Sequence, residues 1–503
     1  FRTEMDPSEA AIGLDLGTES CRISIVKGGE AIIITDKHGR GRTPSAIAFD
    51  GDRVLVGEDA LKQALNNREN TIFLKDVHQS LGRSEENSAH MISVQFKGIT
   101  ALISPDEVYC LMIAKLKKIA EEFLNSTVAK AVITVPTYYS SCQRQGLKDA
   151  ARMAGLTVIG VLNSTSAAAI HHSYRLLQTT QEKVPQRTWL VFDQGAGPSD
   201  IALFTKCSKY SLTAAKVAAD SDLGGDILTN LLLQHFVQKF KSNGQDISDD
   251  LRAIEILRRQ SEQAKRTLSS YPQAHVQLHE KKLYGTITQQ EFAGICAGSF
   301  DRTRALIDGL LGPPRLMAPT DVDEILLVGT ASRDPNLQSL LRSYFVSTMI
   351  TNSSSPQEDS VRGAALQAAK NIGALTGDQK PAEVDYVSPH YVWFEVAGSI
   401  YNLFEPNIKK DSCQWRYITL NSQAEIQLEI NEKVREETIH RTKYSISSNT
   451  PTTGTITVIV ILDPNGIFEV AVENEKIPEN VWTVVEVGRQ EKLAKMARST
   501  YHQ

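Results

Sequence analysis

The sequence predicts an α/β protein with two related lobes, followed by a small antiparallel β-sandwich. Two similar hairpin sequences, at residues 11–18 and 189–197, lie about 180 residues apart and indicate a duplicated lobe. Strand-like and helix-like segments alternate between and after them, which is the pattern of an α/β fold. Beyond residue 389 strand-like runs follow one another until about residue 475, and these predict the sandwich.

Each hairpin sequence reads as an apolar strand, an Asp-x-Gly turn and a second strand of alternating polarity. The first begins AIGLDLGT at residue 11, and the second begins WLVFDQGAG at residue 189. Glycines in such turns let backbone amides approach a phosphate, and the adjacent carboxylate can hold the magnesium ion of that phosphate through water. A single turn of this kind is more often an ordinary hairpin loop, but two facing copies predict one nucleotide clamped between the lobes. The turn residues with this expected role are Asp15, Gly17, Asp193, Gly195 and Gly197.

The composition is that of a folded chain of two or three domains with a slightly acidic balance. The 503 residues are 41% hydrophobic, with a net charge of -5 and a pI near 6.2. This charge argues against nucleic acid or a polybasic membrane surface as the main partner. The six cysteines are scattered without a Cys-x-x-Cys spacing, which indicates neither a disulfide framework nor a zinc site. Without a membrane-length apolar run or a signal-peptide core, we expect a cytoplasmic protein.

A strand followed by a helix between the two hairpins carries a more specific resemblance. The strand sequence is AVITVPTYY from residue 131, and the helix sequence contains QRQ at 143, KDA at 148 and AGL at 154. This series resembles the 70-kilodalton heat-shock chaperone family, the relatives of bacterial DnaK. The resemblance implies an actin-like ATPase of two ribonuclease H-like lobes, with ATP or ADP and Mg²⁺ between them. Actin-like filament proteins and sugar kinases are more distant alternatives, because neither explains a C-terminal sandwich.

A helical segment over residues 251–269 resembles the same family more specifically. At 100° per residue its apolar residues share one face, and Glu262, Lys265, Arg266 and Ser269 gather on the opposite face. Spacing alone favours a solvated face held by ion pairs at i,i+3 and i,i+4. The resemblance implies instead that these four residues form the family's adenosine pocket, in which the arginine packs on the adenine ring and the others bond to ribose and base.

Two glycine-containing segments complete the nucleotide site that the resemblance implies. They are DLGGD, from residue 222, and LLVGTASRDP, from residue 326. The second reads as a strand running into a glycine turn and a helix, a geometry suited to backbone contact with a nucleotide. The family usually has Gly-Gly-Ser-Thr-Arg-Ile-Pro there, so Thr330 and Ala331 imply crowding near the adenosine. The expected nucleotide-binding residues are Asp15, Gly17, Thr18, Gly195, Gly197, Gly224, Gly225, Glu262, Lys265, Arg266, Ser269, Gly329 and Arg333.

The chain departs from the family at the groups that the family uses for hydrolysis. Glu19 replaces a threonine and puts a carboxylate where the phosphate tail would lie, which weakens ATP binding unless Glu19 turns away or assists a cation. Pro198 replaces a threonine whose hydroxyl approaches the γ-phosphate, and proline also lacks a backbone N–H. Ser164 replaces a glutamate that helps to position water and magnesium, and serine cannot act as that base. The family's catalytic lysine matches Lys75 or His78, depending on how a loop with extra residues is aligned.

Three carboxylates of the site remain. Asp193 and Asp200 are the expected catalytic residues, and together with Asp15 they are expected to hold Mg²⁺ through water. Losing one preorganised catalytic group costs about 10²-fold or more in rate, so two or three losses predict weak or absent hydrolysis. We therefore expect a chaperone or cochaperone that binds ATP and has a regulatory or scaffold role in protein folding. The alternative is an active folding chaperone with a slow ATPase, because phosphoryl transfer depends largely on positioning and on magnesium.

Changes in composition divide the chain into a nucleotide-binding domain, a linker, a sandwich and a tail. The strand pattern favours a peptide-binding sandwich like that of the family about as much as a purely structural one. The family's linker contains an acidic-leucine run that this chain lacks, so we expect weak coupling between domains. The predicted bounds are 1–375 for the nucleotide-binding domain (lobe I about 10–184, lobe II about 185–358, closing helix about 359–373), 376–388 for the linker, 389–475 for the sandwich and 476–503 for the tail.

The tail is shorter than the family's helical lid, so the sequence predicts a divergent, short and lidless member that does not hold peptides for long. The resemblance implies a J-domain protein, a nucleotide-exchange factor and unfolded or nascent polypeptide as partners. Ribosome association follows by analogy with short, lidless members that form a ribosome-associated complex with a J-protein. No nucleic-acid or membrane partner is expected.

Overall fold

The structure is a computed structural model of the chain. It describes residues 10–82, 91–179, 186–208, 210–313, 316–353, 355–384, 387–396, 399–409, 413–420, 425–434, 438–448, 454–463, 465–473 and 482–486. Of the tail expected at 476–503, it therefore describes only residues 482–486. Within these ranges, no helix combines the length and the apolar character needed to cross a membrane.

The first lobe is built on a mixed sheet with helices packed against it. Its elements are β1 (Ala11–Leu16), β2 (Ser20–Lys27), β3 (Glu30–Ile33), β4 (Thr43–Pro44), β5 (Ala46–Asp50), β6 (Arg53–Val56), α1 (Glu58–Gln63), β7 (Thr71–Phe73), α2 (Leu74–Val77), β8 (Ile92–Phe96), β9 (Ile99–Ile103), α3 (Pro105–Leu124), β10 (Lys130–Val135), α4 (Ser141–Met153), β11 (Thr157–Asn163) and α5 (Ser164–Thr179). The central sheet has the order β11-β10-β1-β2-β3, with β4 paired to β2. Capping boxes at Ser104 and Ser140 start α3 and α4, because each serine and the side chain three residues later satisfy free backbone N–H groups.

The second lobe has a similar plan. Its elements are β12 (Arg187–Gln194), β13 (Ser199–Ser208), β14 (Ser211–Asp220), α6 (Gly225–Ser242), α7 (Leu251–Leu268), β15 (Gln273–Leu278), β16 (Leu283–Thr288), α8 (Gln289–Ile295), α9 (Ala297–Leu311), β17 (Glu324–Val328), α10 (Pro335–Tyr344), β18 (Met349–Asn352), α11 (Asp359–Asn371) and β19 (Glu383–Val384). The main sheet has the order β18-β17-β12-β13-β14-β19. In both lobes the first strand forms an antiparallel hairpin with the next strand and pairs in parallel with a later one. The predicted duplicated α/β fold is therefore confirmed.

Helix α11 returns to the first lobe and crosses α5 at very short range. A Cβ atom on Gly363 would overlap the carbonyl oxygen of Ala167 in α5. On the other side of the helix, a Cβ atom on Gly13 in β1 would overlap the backbone of α11 at Ala365 and Val361. The two glycines therefore permit a close approach between backbones that any larger residue would prevent.

Replacing Gly363 with alanine is expected to destabilise the protein by about 1–3 kcal/mol, because the added methyl group forces α5 and α11 apart in a packed core. Gly309 in α9 provides a matched control, since a Cβ atom there meets no atom within 4 Å. Gly309→Ala should instead stabilise the helix by about 0.5–1 kcal/mol through lower backbone entropy in the unfolded chain. Thermal unfolding of both variants checks the pair, and equal midpoints would contradict the close crossing.

The C-terminal part forms a sandwich of two antiparallel sheets. Its strands are β20 (Val387–Ser388), β21 (Tyr391–Val396), β22 (Ser399–Phe404), β23 (Ile408–Lys409), β24 (Cys413–Leu420), β25 (Glu425–Val434), β26 (Thr438–Ser448), β27 (Gly454–Leu462), β28 (Phe468–Glu473) and β29 (Trp482–Glu486). The sheets have the orders β22-β21-β25-β26-β29 and β24-β27-β28. Buried side chains such as Phe394, Ile430 and Val460 fill the space between them. Asp463 accepts hydrogen bonds from the backbone N–H groups of Asn465 and Ile467, which closes the hairpin turn between β27 and β28.

Two boundaries of the structure differ from the predicted ones. Strand β29 pairs with β26 and extends the sandwich beyond residue 475, where the sequence analysis began a tail. The segment 376–388, expected as a linker, contributes two short strands to neighbouring sheets. Strand β19 pairs in parallel with β14 at the edge of the second lobe, and β20 pairs with β23 of the sandwich. Both differences arise from hydrogen bonds between the backbones of neighbouring strands. Such pairing requires no particular side-chain sequence, so the sequence does not reveal it.

The sandwich is docked against the first lobe through buried polar contacts. Both carboxylate oxygens of Glu432 accept from the backbone N–H of Ser141, at 3.0 and 2.9 Å, at the N-terminus of α4. His390 contacts the same carboxylate at 2.9 Å and the carbonyl oxygen of Tyr138 at 3.1 Å. Asn465 accepts from the backbone N–H of Val161 at 3.0 Å. The expectation of weak coupling, which rested on the linker sequence, did not take these direct contacts into account.

Candidate functional site

The two hairpin turns face each other across a cleft between the lobes. The β1–β2 turn, residues 17–19, and the β12–β13 turn, residues 195–198, both line this cleft. A Cβ atom on Gly197 would lie 2.9 Å from the hydroxyl oxygen of Thr18, so the turns almost touch. The structure thus brings the duplicated Asp-x-Gly turns together, as the sequence analysis expected of a site that clamps one nucleotide.

Three carboxylates point into the cleft from the strands beside these turns. Asp15 accepts a hydrogen bond from the hydroxyl of Thr134 at 2.7 Å, and Asp200 accepts from the backbone N–H of Thr137 at 3.2 Å. Burial raises the pKa of Asp15, and burial together with neighbouring carboxylates raises the pKa of Asp193 to about 7. Burial and the charge of Asp193 also raise the pKa of Asp200 well above its usual range. The cleft therefore favours either protons or a cation between these groups.

The chemistry of this carboxylate set fits a hydrated magnesium ion better than a directly ligated metal. Carboxylate oxygens are the ligands that Mg²⁺ prefers, and the ion commonly keeps several of its water molecules. Across the part of the chain that the structure describes, no group of three His, Cys, Asp or Glu side chains could hold a metal ion directly. The three aspartates, which were the predicted metal site, thus suit contacts through water.

The raised pKa of Asp193 predicts how stability depends on pH in the absence of magnesium. Because its pKa rises from 3.8 in the unfolded chain to about 7 in the folded protein, its contribution to stability falls as pH increases through this interval. The expected loss is on the order of 4 kcal/mol. Asp193→Asn should therefore unfold at a higher temperature than the parent protein at pH 8, and at a similar temperature at pH 4.

Thermal unfolding at the two pH values measures this difference, and Asp52→Asn serves as the control because Asp52 is exposed in the turn between β5 and β6. The control substitution should leave the pH dependence unchanged. Adding magnesium at pH 8 should raise the unfolding temperature of the parent protein, but it should not raise that of Asp193→Asn. Parallel pH profiles for the parent and Asp193→Asn would contradict a neutral, buried Asp193.

The DLGGD segment packs directly on the second hairpin turn. The backbone N–H of Gly225 donates to the carbonyl oxygen of Gly195 at 3.0 Å, and that of Asp226 donates to Ala196 at 2.7 Å. A Cβ atom on Gly224 would overlap the carbonyl oxygen of Gly197. These glycines support the turn, whereas neither of them lines the cleft itself. Their closeness to the site agrees with the sequence analysis, but their contact is with protein backbone.

The polar face of α7 is held together by ion pairs within the helix and by hydrogen bonds to α6. Lys265 lies 2.6 Å from Glu262 and donates to the carbonyl oxygen of Gly225 at 2.7 Å. Thr229 in α6 donates a hydrogen bond to Glu262. Burial raises the pKa of Glu262, but these partners outweigh burial and hold the pKa at about 2. Ser269 donates to the backbone of its own helix, and of the four predicted residues Arg266 is the one that lines the cleft.

Glu19 turns away from the other carboxylates and contacts the opposite lobe. Its Oε1 atom accepts from Nη2 of Arg266 at 2.7 Å. The sequence analysis expected Glu19 to weaken ATP binding unless it turns away or assists a cation, and in the structure its carboxylate pairs with the side-chain cation of Arg266. Glu19 and Arg266 both line the cleft, so this ion pair lies at its opening.

Ser164 and Pro198 also line the cleft beside the carboxylates. Ser164 is the first residue of α5, and its hydroxyl lies close enough to Asp193 and Asp200 to offset part of the rise in their pKa. Pro198 occupies the turn between β12 and β13. Gly329 has a φ of 80° and packs so closely on the β12 end that a Cβ atom would overlap the carbonyl oxygen of Gln194.

Lys75, His78 and Arg333 stand outside the group of cleft-lining residues. Burial raises the pKa of Asp226, and the charge of Lys75 offsets part of this rise, which places the two residues near one another across the lobes. His78 donates from Nδ1 to the carbonyl oxygen of Lys75 at 2.8 Å, and burial lowers its pKa. Arg333 is exposed. Of the two residues that the alignment left open for the family lysine, neither is brought to the carboxylates.

Thr134 and Tyr139 line the cleft without having been singled out in the sequence. Thr134 is opposite Asp15 in the parallel pairing of β1 with β10, which explains the hydrogen bond between them. Aligning the two strands from their shared end would have indicated this pair. Tyr139 carries no such signal, because its position depends on the turn that follows β10. The cleft as a whole has a volume of about 150 Å³.

Known proteins with similar sequences agree with this architecture. The family described as Hsp70 protein matches residues 11–499, nearly the whole chain. This chain belongs to the Hsp70 family. The Hsp70 family has the actin-like, two-lobed ATPase fold, and its members use nucleotide.

Individual Hsp70 relatives share about a third of their aligned residues with this chain. The heat shock 70 kDa protein of Neurospora crassa is 34% identical over 78% of this chain and 63% of its own length. A ribosome-associated molecular chaperone of Eremothecium gossypii is 35% identical over 80% of this chain and 69% of its own length. A ribosome-associated molecular chaperone of Saccharomyces cerevisiae is 33% identical over 79% of this chain and 67% of its own length. The chain thus spans about two thirds of the length of these Hsp70 relatives.

Proposed function

We propose that this Hsp70-family chain binds ATP and magnesium between its two lobes, hydrolyses ATP weakly or not at all, and serves as a scaffold or cochaperone in protein folding. One observation carries the proposal. The carboxylates and glycine turns meet in the cleft, but Ser164 and Pro198 line that cleft at the positions matched to the family's catalytic glutamate and threonine. The residues that would bind the nucleotide are therefore retained, whereas two residues that the family uses for hydrolysis are replaced.

The replacements remove specific steps of phosphoryl transfer. The hydroxyl of Ser164 cannot take a proton from an attacking water at neutral pH, as a glutamate can. Pro198 offers the γ-phosphate neither a hydroxyl nor a backbone N–H. Bound magnesium would neutralise phosphate charge, while Asp15, Asp193 and Asp200 would orient its water molecules. These carboxylates can hold the nucleotide without accelerating its hydrolysis.

A slow ATPase is the second candidate, and Asp193 favours it. A carboxylate with a pKa of about 7 is well matched to accept a proton from water near neutral pH. Asp193 would then take over part of the role of the missing glutamate. A bound magnesium ion acts against this role, because its positive charge keeps the carboxylate ionised and weakens it as a base.

A single-turnover assay with radiolabelled ATP and magnesium separates these candidates. Bound nucleotide and released phosphate are measured in the same samples of the full chain over several hours. ATP that stays bound and intact supports the noncatalytic scaffold. Steady phosphate release that disappears in Asp193→Asn supports the slow ATPase. The absence of bound nucleotide would refute both candidates.

We further propose unfolded or nascent polypeptide as the client, with the ribosome, a J-domain protein and a nucleotide-exchange factor as partners in the cytoplasm. The support is family membership and the two relatives described as ribosome-associated. The net charge of -5 disfavours attachment through ribosomal RNA, so contact with a ribosomal or ribosome-bound protein is expected. Sedimentation with ribosomes at increasing salt tests this, because binding to RNA is lost steeply with salt.

The sandwich is proposed to contribute the polypeptide site, with a purely structural role as the alternative. Tyr391, Trp393 and Ile400 form an apolar area on the outside of the β21–β22 hairpin, where Ile400 is 66% exposed. Single exposed apolar residues are ordinary, but a cluster of aromatic side chains is typical of a binding surface. Binding of a fluorescent unfolded peptide to the full chain, compared with Trp393→Ala, distinguishes the two roles.

A further inference from the structure

Arg266 is held by two carboxylates, one from each lobe. Its Nη2 atom lies 2.7 Å from Oε1 of Glu19 in the first lobe, and its Nε atom lies 2.7 Å from Oε1 of Glu262 in the second. Two edges of the planar guanidinium group are therefore occupied. The side chains of Arg266 and Glu19 are 48% and 43% exposed, so the ion pair lies where the cleft meets solvent.

Both ends of this interlobe bridge are supported by further contacts. The carbonyl oxygen of Glu19 accepts from the backbone N–H of Ser45 at 3.0 Å, and the hydroxyl of Ser45 donates to Gly17 at 2.6 Å. These bonds fix the backbone of the turn that carries Glu19. Arg266 projects from α7, whose opposite face is buried through residues such as Leu257 and Leu268. The bridge thus connects two rigid elements instead of two loose side chains.

The bridge lies across the opening through which a nucleotide would enter the cleft. The ion pairs use the edges of the guanidinium group and leave its flat faces free for a purine ring, so stacking alone would not break the bridge. The cleft also offers only about 150 Å³, below the range of about 300–1,000 Å³ of common ligand pockets. Entry of a nucleotide therefore requires the lobes to separate or Arg266 to leave Glu19.

We propose that Glu19 is an affinity-determining latch, which joins the lobes across the cleft through Arg266 and must open before the cleft can accommodate an adenosine ligand. This inference rests on the proposed binding of ATP in the cleft. The latch keeps the lobes closed without a nucleotide, and every adenosine ligand must break it. Its effect is therefore independent of the number of phosphates, unlike direct repulsion between the Glu19 carboxylate and a phosphate tail.

Calorimetric titration of the full chain with adenosine, ADP and ATP tests the latch. Glu19→Thr, which cannot reach Arg266, is expected to bind all three ligands about two- to fivefold more tightly, the range that an exposed ion pair can contribute. Glu122→Gln, an exposed change on α3 outside the cleft, should leave the three affinities unchanged. Tighter binding of ADP and ATP with unchanged binding of adenosine would overturn the latch in favour of phosphate repulsion.

Unfolding in the absence of nucleotide tests the bridge separately from nucleotide binding. Glu19→Thr, Arg266→Gln and the double variant form a thermodynamic cycle. The latch predicts that the double variant unfolds at nearly the same temperature as Arg266→Gln alone. Additive shifts would overturn the bridge whatever the titrations show. If no ligand binds to any variant and the cycle is non-additive, the proposed ATP binding fails and the effect of the latch on affinity fails with it, while the interlobe bridge stands.

Discussion

Replacing Glu432 with alanine is expected to release the β-sandwich from the first lobe. The carboxylate accepts from the backbone N–H of Ser141 and contacts His390 at 2.9 Å, and both side chains of the pair are only 2% exposed. Removing one member of a buried ion pair costs about 3–5 kcal/mol, because the other member is left without a partner. A penalty of this size shifts the docking equilibrium by about 10²- to 10⁴-fold.

His390 connects the Glu432 carboxylate to the first lobe through its two ring nitrogens. Its Nε2 atom faces the carbonyl oxygen of Tyr138, which can only accept, and its Nδ1 atom faces the Glu432 carboxylate, which already accepts from Ser141. Both ring nitrogens therefore lie within hydrogen-bond distance of an oxygen atom, so His390 has a partner on each side. His390→Leu should also undock the sandwich, although Glu432 would keep its contact with α4.

Hydrogen exchange of the full chain measures this release. Faster exchange is expected at the start of α4 and in β21, with unchanged exchange in the core of the second lobe. Glu429→Ala is the matched control, because Glu429 lies on the same strand, is 25% exposed and contacts only Arg441 at 3.6 Å among the ion pairs of the described residues. If the Glu432→Ala and Glu429→Ala variants show the same rates of hydrogen exchange, the Glu432 carboxylate does not hold the sandwich against the first lobe.

The local elements of this chain could be predicted from its sequence, because their signals lie within a few residues. The hairpin strands alternate over short runs, and the apolar face of α7 repeats with helical spacing, so the duplicated lobes and the polar face followed directly. The turn between β27 and β28 was equally clear from Asp463, Asn465 and Gly466.

The contacts between these elements could not be predicted in the same way. Glu19 and Arg266 are separated by 247 residues, and Ser141 and Glu432 by 291. In the sequence Glu432 is a charged residue on the face of β25 that Leu428 and Ile430 make apolar, and nothing near it in the sequence indicates that the docked first lobe supplies its partners. For the polar face of α7 the resemblance implied an adenosine pocket, whereas spacing alone favoured ion pairs, and in the structure Lys265 pairs with Glu262 while both bond to Thr229.

Restoring the two replaced catalytic groups is expected to increase the rate of ATP hydrolysis. Ser164→Glu combined with Pro198→Thr should raise the single-turnover rate by about 10²-fold or more, since one preorganised group commonly contributes that much. The new glutamate enters a cleft in which burial already raises the pKa of Asp193 and Asp200. Without a cation it should be protonated and inactive as a base, so the gain should depend on magnesium.

Two comparisons make this result specific to the cleft. Adding Asp193→Asn to the double variant should abolish the gain, because the magnesium water molecules lose one of their partners. Each single substitution should give a smaller gain than the pair, since base and phosphate contact act in the same step. An unchanged rate with intact ATP binding would mean that the defect lies elsewhere, and Lys75, which the structure places near Asp226 and outside the cleft lining, would become the next position to test.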